Sequence, residues 1–421
     1  MKILVLSMNF MPELTGIGKY SGDMVDGMLA RGHEVAVVCA PPYYPAWKVD
    51  GAYHRTSYLV EKPKRGLTVY RCPVWVPRSP GGLKRLIHLA SFALSSLPLM
   101  LMLVLWRPAA VLAVAPALFA APWGRITAWL AGATSWLHVQ DFEVDTAFGL
   151  GLLKGGAVRR GVLSFERRIL AGYDRVSTIS RQMVKTLVAK GVPLERTALM
   201  PNGVDVSDIH PQATASGLRC SLGLGEDQIV CLYSGTMNRK QGLNVIVEAA
   251  RRLQHRTEIV FVLSGNGEMR KPLEAAAEGL GNVRFLDLCP AEQLNDLLNM
   301  ADLHLLPQLR GAADLVMPSK LSGMLASGRP TIAAAAHGTE IATVVEGHGV
   351  VIEPESVDAF AEAVERLACD PSERLRLGRA ARAFAEQCLD NTSIFNQLDE
   401  TLERAVATPP PLAALRRVVR I

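Results

Sequence analysis

Short apolar runs alternate with helix-period segments along the whole chain, beginning with KILVLSM and the amphipathic stretch Lys19–Arg31 that Gly32 stops. This alternation predicts parallel α/β architecture, because a parallel strand is buried on both faces and reaches its neighbour through a crossover helix. In the first half the pattern predicts strands at Ile3–Met8, Val35–Cys39, Leu67–Arg71, Ala110–Ala115, Ser135–Val139 and Val176–Ile179. In the second half it predicts them at Ile229–Ser234, Ile259–Leu263, Val283–Leu286, Leu303–Leu306, Thr331–Ala334 and Val350–Ile352, with a helix at Leu243–Leu253. Two doubly wound sheets in series fit this pattern. The join falls between Lys190 and Gly217, where Pro193, Pro201 and Pro211 interrupt the periodicity, so the domains are expected at 1–192 and 193–390.

One segment departs from the rhythm. Between Arg85 and Arg107 there is no charged residue, and LASFALSSLPLMLMLVLW has the length of a membrane span. His88, two serines, Pro98 and the strand-like run that follows favour a crossover helix, packed on the sheet or lying in a bilayer interface, over a span. Arg78, Lys84 and Arg85 beside it suit an anionic leaflet.

Length and composition narrow the picture. At 421 residues, 49% apolar and 20% charged, the chain is globular and too long for one core. Seven scattered cysteines without a Cys-x-x-Cys argue against a disulfide framework or zinc site, and for a reducing, cytoplasmic compartment. The start MKILVLSMNFMPE reads as a first strand rather than a signal peptide. Charge is uneven: residues 1–190 hold 23 Lys and Arg against 11 Asp and Glu, residues 191–421 hold 22 against 29. A basic first half suggests an anionic partner such as a membrane surface, with plain solvated arginines as the alternative. Sparse aromatics, without a basic-aromatic stripe, argue against nucleic acid.

Candidate chemistry clusters where strands end. Behind the first strand lies MNFMPELTGIGKYSGDM, with Gly16 and Gly18 opening a helix. The spacing Gly16-x-Gly18-x-x-x-Gly22 misses the dinucleotide fingerprint by one residue. Helix-opening amides can still bind another anion, and a plain turn is the competing reading. Strand Ile229–Ser234 runs into SGTMNRKQGL, placing Gly235, Arg239 and Lys240 where cations can neutralise a diphosphate. A further glycine pair, Gly265 and Gly267 in LSGNGEM, follows strand Ile259–Leu263. His138, Gln140, Asp141, Glu143 and Asp145 crowd the end of Ser135–Val139, where they could orient an acceptor hydroxyl or carry its proton. No Asp-x-Asp triplet and no metal-site spacing is present.

Together these residues resemble the retaining family-4 glycosyltransferases, most closely those of colanic-acid-type exopolysaccharide synthesis. The resemblance covers nearly the whole chain. It is carried by PELTGIGKYSGDM, APPYYPAW, LKRLIHLASFA, LHVQDFEVDTAFGLGL, FERRIL, VSTISRQM, LYSGTMNRKQGL, RGAADLVMPSKL and EPESVDAF, while PNGVD and GNGE mark only the wider superfamily. It implies the GT-B fold: α/β, two Rossmann-like doubly wound domains facing a central cleft. The acceptor domain would be 1–192 and the nucleotide-sugar domain 193–390, with a helix at about 391–406 crossing back and a basic apolar tail at 407–421.

The resemblance implies that Gly16 and Gly18 face a donor diphosphate, that Lys240 and Arg239 hold it, and that Asp141 sits near the acceptor hydroxyl. One departure matters. Two glutamates, eight positions apart in many relatives, correspond here to Leu315 and Gly323, and the set Arg310, Asp314, Ser319 and Lys320 stands in their place. Gln241 rather than lysine precedes Gly242, with Lys240 one position earlier. The expected reaction is metal-independent and cofactor-free: transfer from a nucleotide sugar, GDP-fucose favoured, to a lipid-diphosphate-linked oligosaccharide at the inner face of the cytoplasmic membrane. Alternatives are another GT-B enzyme (a UDP-sugar transferase, an epimerase or a phosphorylase) and a non-catalytic membrane scaffold.

Overall fold

The structure, a computed structural model, describes residues 1–13, 16–78, 81–115, 118–142, 156–212, 217–310 and 318–407, with the side chains of residues 156–159 and of Lys240 outside that description. The chain divides into two units, Met1–Pro201 with Ile394–Ile421, and Asn202–Ser393.

Among the described residues the first unit carries eight strands: β1 (Lys2–Ser7), β2 (Glu34–Cys39), β3 (Leu59–Glu61), β4 (Leu67–Arg71), β5 (Ala110–Ala115), β6 (Thr134–Val139), β7 (Arg175–Thr178) and β8 (Thr197–Leu199). Their order is β3-β4-β2-β1-β5-β6-β7-β8, parallel throughout except for the β3–β4 pair. The central strands are buried on both faces, as their unbroken apolar runs require; β5, AVLAVA, is buried at every position. Ile3, Val5, Val25, Val37, Leu112 and Trp136 form one face of the core, closed by Ile394, Leu398 and Leu402 of the helix Asn391–Ala407.

The apolar segment after Lys84 is a crossover helix, Gly82–Met102, packed on the sheet's other face. Phe92, Ala93, Ser96 and Met100 are buried, and the helix is tied to its neighbour Ala121–Ala131 by Trp123 Nε1 donating to Ala93 O (2.8 Å) and Thr127 Oγ1 donating to Met100 O (3.2 Å). Among the described residues it is also the one helix long and apolar enough to cross a membrane, with a third of its most apolar window buried.

The second unit carries β9 (Ile229–Ser234), β10 (Ile259–Ser264), β11 (Val283–Leu286), β12 (Leu303–Leu306), β13 (Thr331–Ala334) and β14 (Gly349–Ile352). They form an all-parallel sheet in the order β11-β10-β9-β12-β13-β14. Helices Asn244–Arg252 and Val357–Cys369 bury Ile246, Ala250, Phe360 and Val364 on one face; helices Lys320–Ala326 and Glu340–Val345 bury Leu321, Leu325 and Ile341 on the other. Each of the twelve predicted strands is present within one residue of its expected ends. The two that the pattern missed, β3 and β8, are three-residue strands at the two edges of the first sheet.

Candidate functional site

In the second unit the strand order reverses between β9 and β12, and open α/β sheets hold ligands at the carboxyl ends beside such a reversal. There β9 hands over to Gly235 and β10 to Gly265, and the two loops are joined backbone to backbone. Gly235 N donates to Ser264 O (2.9 Å), Met237 N to Asn266 O (2.8 Å) and Met269 N to Met237 O (2.9 Å). A Cβ on Gly265 would stand 2.0 Å from Gly235 O, and one on Gly267 2.3 Å from Met237 O, so side chains at either position would force the loops apart.

Lys320 opens the helix that follows β12 and lies against Gly235, where an added Cβ would meet its Cδ at 3.5 Å and its Nζ at 3.8 Å. The ammonium sits 3.9 Å from the centroid of the Tyr233 ring, and Nζ is buried with no hydrogen-bond partner among the described residues. Burial pushes its pKa down from 10.5 to about 7. A ring quadrupole offsets only part of the cost of desolvating an ammonium, so the lysine is left poised for an anion. Asn238 Oδ1, on the same loop, is likewise buried without a partner among the described residues.

The other cations here differ in kind. Arg239 opens a short turn, Arg239–Gln241, that Gly242 closes in the left-handed region (φ 63°). Its side chain is 83% exposed and 3.9 Å from Glu268. The backbone of Lys240 belongs to the same turn. Ser319 precedes Lys320, and its carbonyl accepts from Ser322 Oγ at 2.9 Å. Arg310 is exposed and 3.2 Å from Glu353, while Asp314 and Leu315 lie outside the described residues. The second unit therefore brings Gly235, Gly265 and Lys320 together.

In the first unit the reversal lies between β1 and β5. Gly16 begins the helix Gly16–Ala30 with φ +62°. Gly18 is buried, and a Cβ there would stand 2.6 Å from Glu13 Cβ and Oε2; at Gly22 it would stand 2.4 Å from Met11 Cγ. These glycines thus let the loop Met11–Glu13 lie directly on the helix, a packing role independent of any ligand. Glu13, which sequence reasoning did not single out, organises that loop. Its buried carboxyl accepts from Asn9 Nδ2 (2.9 Å) and from the amides of Tyr43 (3.0 Å) and Tyr44 (2.9 Å), and desolvation raises its pKa.

The cluster after β6 is a relay of contacts rather than a set of open groups. His138 is 1% exposed, with Nδ1 2.9 Å from Ser177 Oγ and Nε2 2.9 Å from Gln140 Nε2. Trp136 Nε1 donates to the same Ser177 Oγ at 2.8 Å. Burial pushes the His138 pKa down to about 3, so the ring is neutral and both nitrogens are engaged. Through Ser177, His138 ties the end of β6 to β7. Gln140 is buried and Asp141 half-buried at that end, while Glu143 and Asp145 lie outside the described residues.

Residues 15–203 match the family described as Glycosyl transferase 4-like domain, and residues 218–384 the family Glycosyl transferases group 1. The colanic acid biosynthesis glycosyl transferase WcaI of Escherichia coli (strain K12) is 42% identical over 94% of this chain and 98% of its own length. The chain belongs to the family-4 glycosyltransferases. A second relative, the GDP-mannose-dependent alpha-(1-6)-phosphatidylinositol monomannoside mannosyltransferase of Mycolicibacterium smegmatis, is 29% identical over 92% of the chain and 94% of its own. Among solved structures, the sucrose-phosphate synthase of Thermosynechococcus elongatus aligns over 96% of this glycosyltransferase and 99% of its own chain, with TM-score 0.76 and 18% identity. The fold is GT-B, with two Rossmann-like units.

Proposed function

We propose that this glycosyltransferase moves a sugar from a nucleotide sugar, with retention of anomeric configuration, to a lipid-diphosphate-linked oligosaccharide in the synthesis of a colanic-acid-like exopolysaccharide. The observation that carries the donor half is the ammonium of Lys320, buried beside Gly235 at the β9/β12 reversal without a hydrogen-bond partner among the described residues. A diphosphate leaving group is the anion such a cation fits, since its developing charge would be met by a preorganised donor. In the transfer, the bond between the anomeric carbon and the diphosphate oxygen breaks, and the acceptor hydroxyl forms the new bond on the same face. Its proton passes to the departing diphosphate. Lys320, with Lys240, supplies the positive charge that a divalent ion provides in other transferases. GDP-fucose is the favoured donor on the likeness to WcaI, and Asp141 is the residue we place nearest the acceptor hydroxyl.

Peripheral attachment to an anionic membrane belongs to the same reading. The outer face of the helix Gly82–Met102 exposes Leu83 and Leu94, each 71%, together with Leu86, Ile87 and Leu101, and Leu105 follows at 84%. Lys84 and Arg85 are exposed beside them. The stripe gives apolar insertion and the cations give attraction to anionic headgroups.

The test incubates purified protein with GDP- and UDP-sugars and a lipid-linked acceptor, with and without a chelator. Transfer from one donor that survives chelation is expected. No transfer from any of them, or strict dependence on a divalent ion, overturns the reading. Calorimetric titration with GDP and UDP identifies the base, and binding of neither would favour a scaffold.

A further inference from the structure

The segment that follows β2 carries Tyr43, Tyr44 and Trp47, and it is held from several sides. Glu13 receives the amides of Tyr43 and Tyr44, Lys48 N donates to Tyr43 O (3.2 Å) and Asp50 N to Pro42 O (3.0 Å). Trp47 adopts φ +51°, a left-handed conformation that a bulky side chain keeps only where its surroundings impose it. Those surroundings are aromatic. The Tyr43 and Trp47 ring centroids are 5.6 Å apart, and His88, from the helix Gly82–Met102, packs against both at 4.9 and 5.4 Å.

His88 is itself pinned, its Nδ1 2.6 Å from Trp75 O. With Nδ1 donating, Nε2 keeps a lone pair, and that atom is buried without a partner among the described residues. On the segments that carry this pinned centre, two large aromatic residues are open to solvent: Tyr44 is 42% and Trp75 45% exposed. The Arg85 guanidinium lies 5.9 Å from the Trp47 ring centroid. The patch also adjoins the start of the helix Gly16–Ala30, because a Cβ on Gly16 would be 3.6 Å from Tyr44 Cε1.

We propose that Tyr44 and Trp47, with Arg85 near the Trp47 ring, form a saccharide subsite for the acceptor, on which a pyranose ring of a diphosphate-linked glycan stacks; this rests on the acceptor reading above. A pyranose presents an apolar C–H face and a rim of hydroxyls. A rigid, half-exposed aromatic surface covers that face at little entropic cost, and a few polar groups at its edge fix the orientation. The planar fork of arginine matches a phosphate oxygen pair, which places the diphosphate next to the first sugar. Trp47 anchors the surface and Tyr44 offers the larger open face.

The experiment compares decyl diphosphate with glucosyl-, galactosyl- and fucosyl-diphosphodecane, followed by tryptophan fluorescence of the full chain. At least one glycosylated probe should bind about tenfold tighter than decyl diphosphate, a difference of the size of one aromatic stacking contact. Tyr44→Ala should abolish that preference, Tyr44→Phe should retain it, and neither should alter the affinity for GDP or UDP. Trp47→Phe keeps a ring at the anchor and should retain most of the preference. Equal binding of all probes to the wild type overturns the proposal, as does a preference that survives Tyr44→Ala or a loss confined to nucleotide affinity. Release of nucleoside diphosphate from GDP- and UDP-sugars, added with these acceptors in a parallel reaction, is scored separately. Its absence would count against the transferase reading, whereas the sugar preference alone decides the subsite.

Discussion

Replacing Lys320 by methionine should stabilise the protein and weaken its hold on the donor. The ammonium is buried over Tyr233 without a hydrogen-bond partner among the described residues, and its pKa falls from 10.5 to about 7. At ~1.4 kcal/mol per pH unit that fall corresponds to roughly 5 kcal/mol of unfavourable burial, an upper bound for what methionine, of similar length and uncharged, can recover. The sign follows from proton counting. In the unfolded chain the lysine keeps its proton to about pH 10, and in the folded chain it loses it near 7, so between those values the unfolded state holds more protons and stability rises with pH. The gain in melting temperature from Lys320→Met should therefore be largest at pH 6 and shrink by pH 9. Donor binding has the opposite requirement, because a diphosphate at Nζ restores the charge. Titrating GDP or UDP in two buffers of different ionisation heat should show net proton uptake at pH 8 that is larger than at pH 6. A variant that melts below the wild type at pH 6 yet binds nucleotide as well would refute this account, and so would binding without proton uptake at pH 8.

The other predictions are more local. Gly265→Ala, with its Cβ 2.0 Å from Gly235 O and φ at +138°, should cost on the order of 3 kcal/mol in urea denaturation and abolish nucleotide binding. Gly161→Ala, in a helix with nothing within 4 Å, should gain up to ~1 kcal/mol in the same assay. Lys240→Ala should lower kcat by ~10²–10³ where its ammonium shares the leaving group, and near-normal turnover would leave Lys320 as the working cation. Because the His138 pKa lies at about 3, His138→Asn should lower the melting temperature without removing any inflection from the rate–pH profile between pH 5 and 8. Flotation with anionic liposomes should weaken across a salt series and weaken further with Leu94→Glu; equal binding to neutral liposomes would remove the electrostatic part.

The strands of both sheets were legible because a parallel strand buried on two faces leaves a continuous apolar run, as in AVLAVA and IVFVLS. The edge strands β3 and β8 were not, being three residues long and partly exposed, with Leu59 42% and Leu199 40% accessible. Glycine positions were legible and their reasons only in part. Gly18 reads as an anion-binding amide, yet its lack of a side chain is required by Glu13, five residues back. The role of Glu13 depends on amides 30 and 31 residues away, a contact that no local pattern reports. His138 was read as a candidate because a strand end is a common place for a catalytic base. Its partner Ser177 lies 39 residues on, and the pairing appears only when β6 and β7 lie side by side. Lys320 was among the donor candidates, but its place over the Tyr233 ring is a fact of packing between β9 and the helix after β12.

The helix Asn391–Ala407 sets an order of assembly for the chain. Leu398 and Leu402 complete the core of the first unit, Phe395 occupies the space beside Gly27 where a Cβ would stand 2.4 Å from the ring, and Asp399 reaches back 366 residues to His33. On the ribosome, then, the first unit emerges first but cannot close until the helix Asn391–Ala407 is made, whereas Asn202–Ser393 is contiguous and can fold as soon as it is released. The half translated first is the half finished last. Until then the apolar bed for Ile394, Leu398 and Leu402 stays uncovered, a surface that chaperones would meet on the nascent chain.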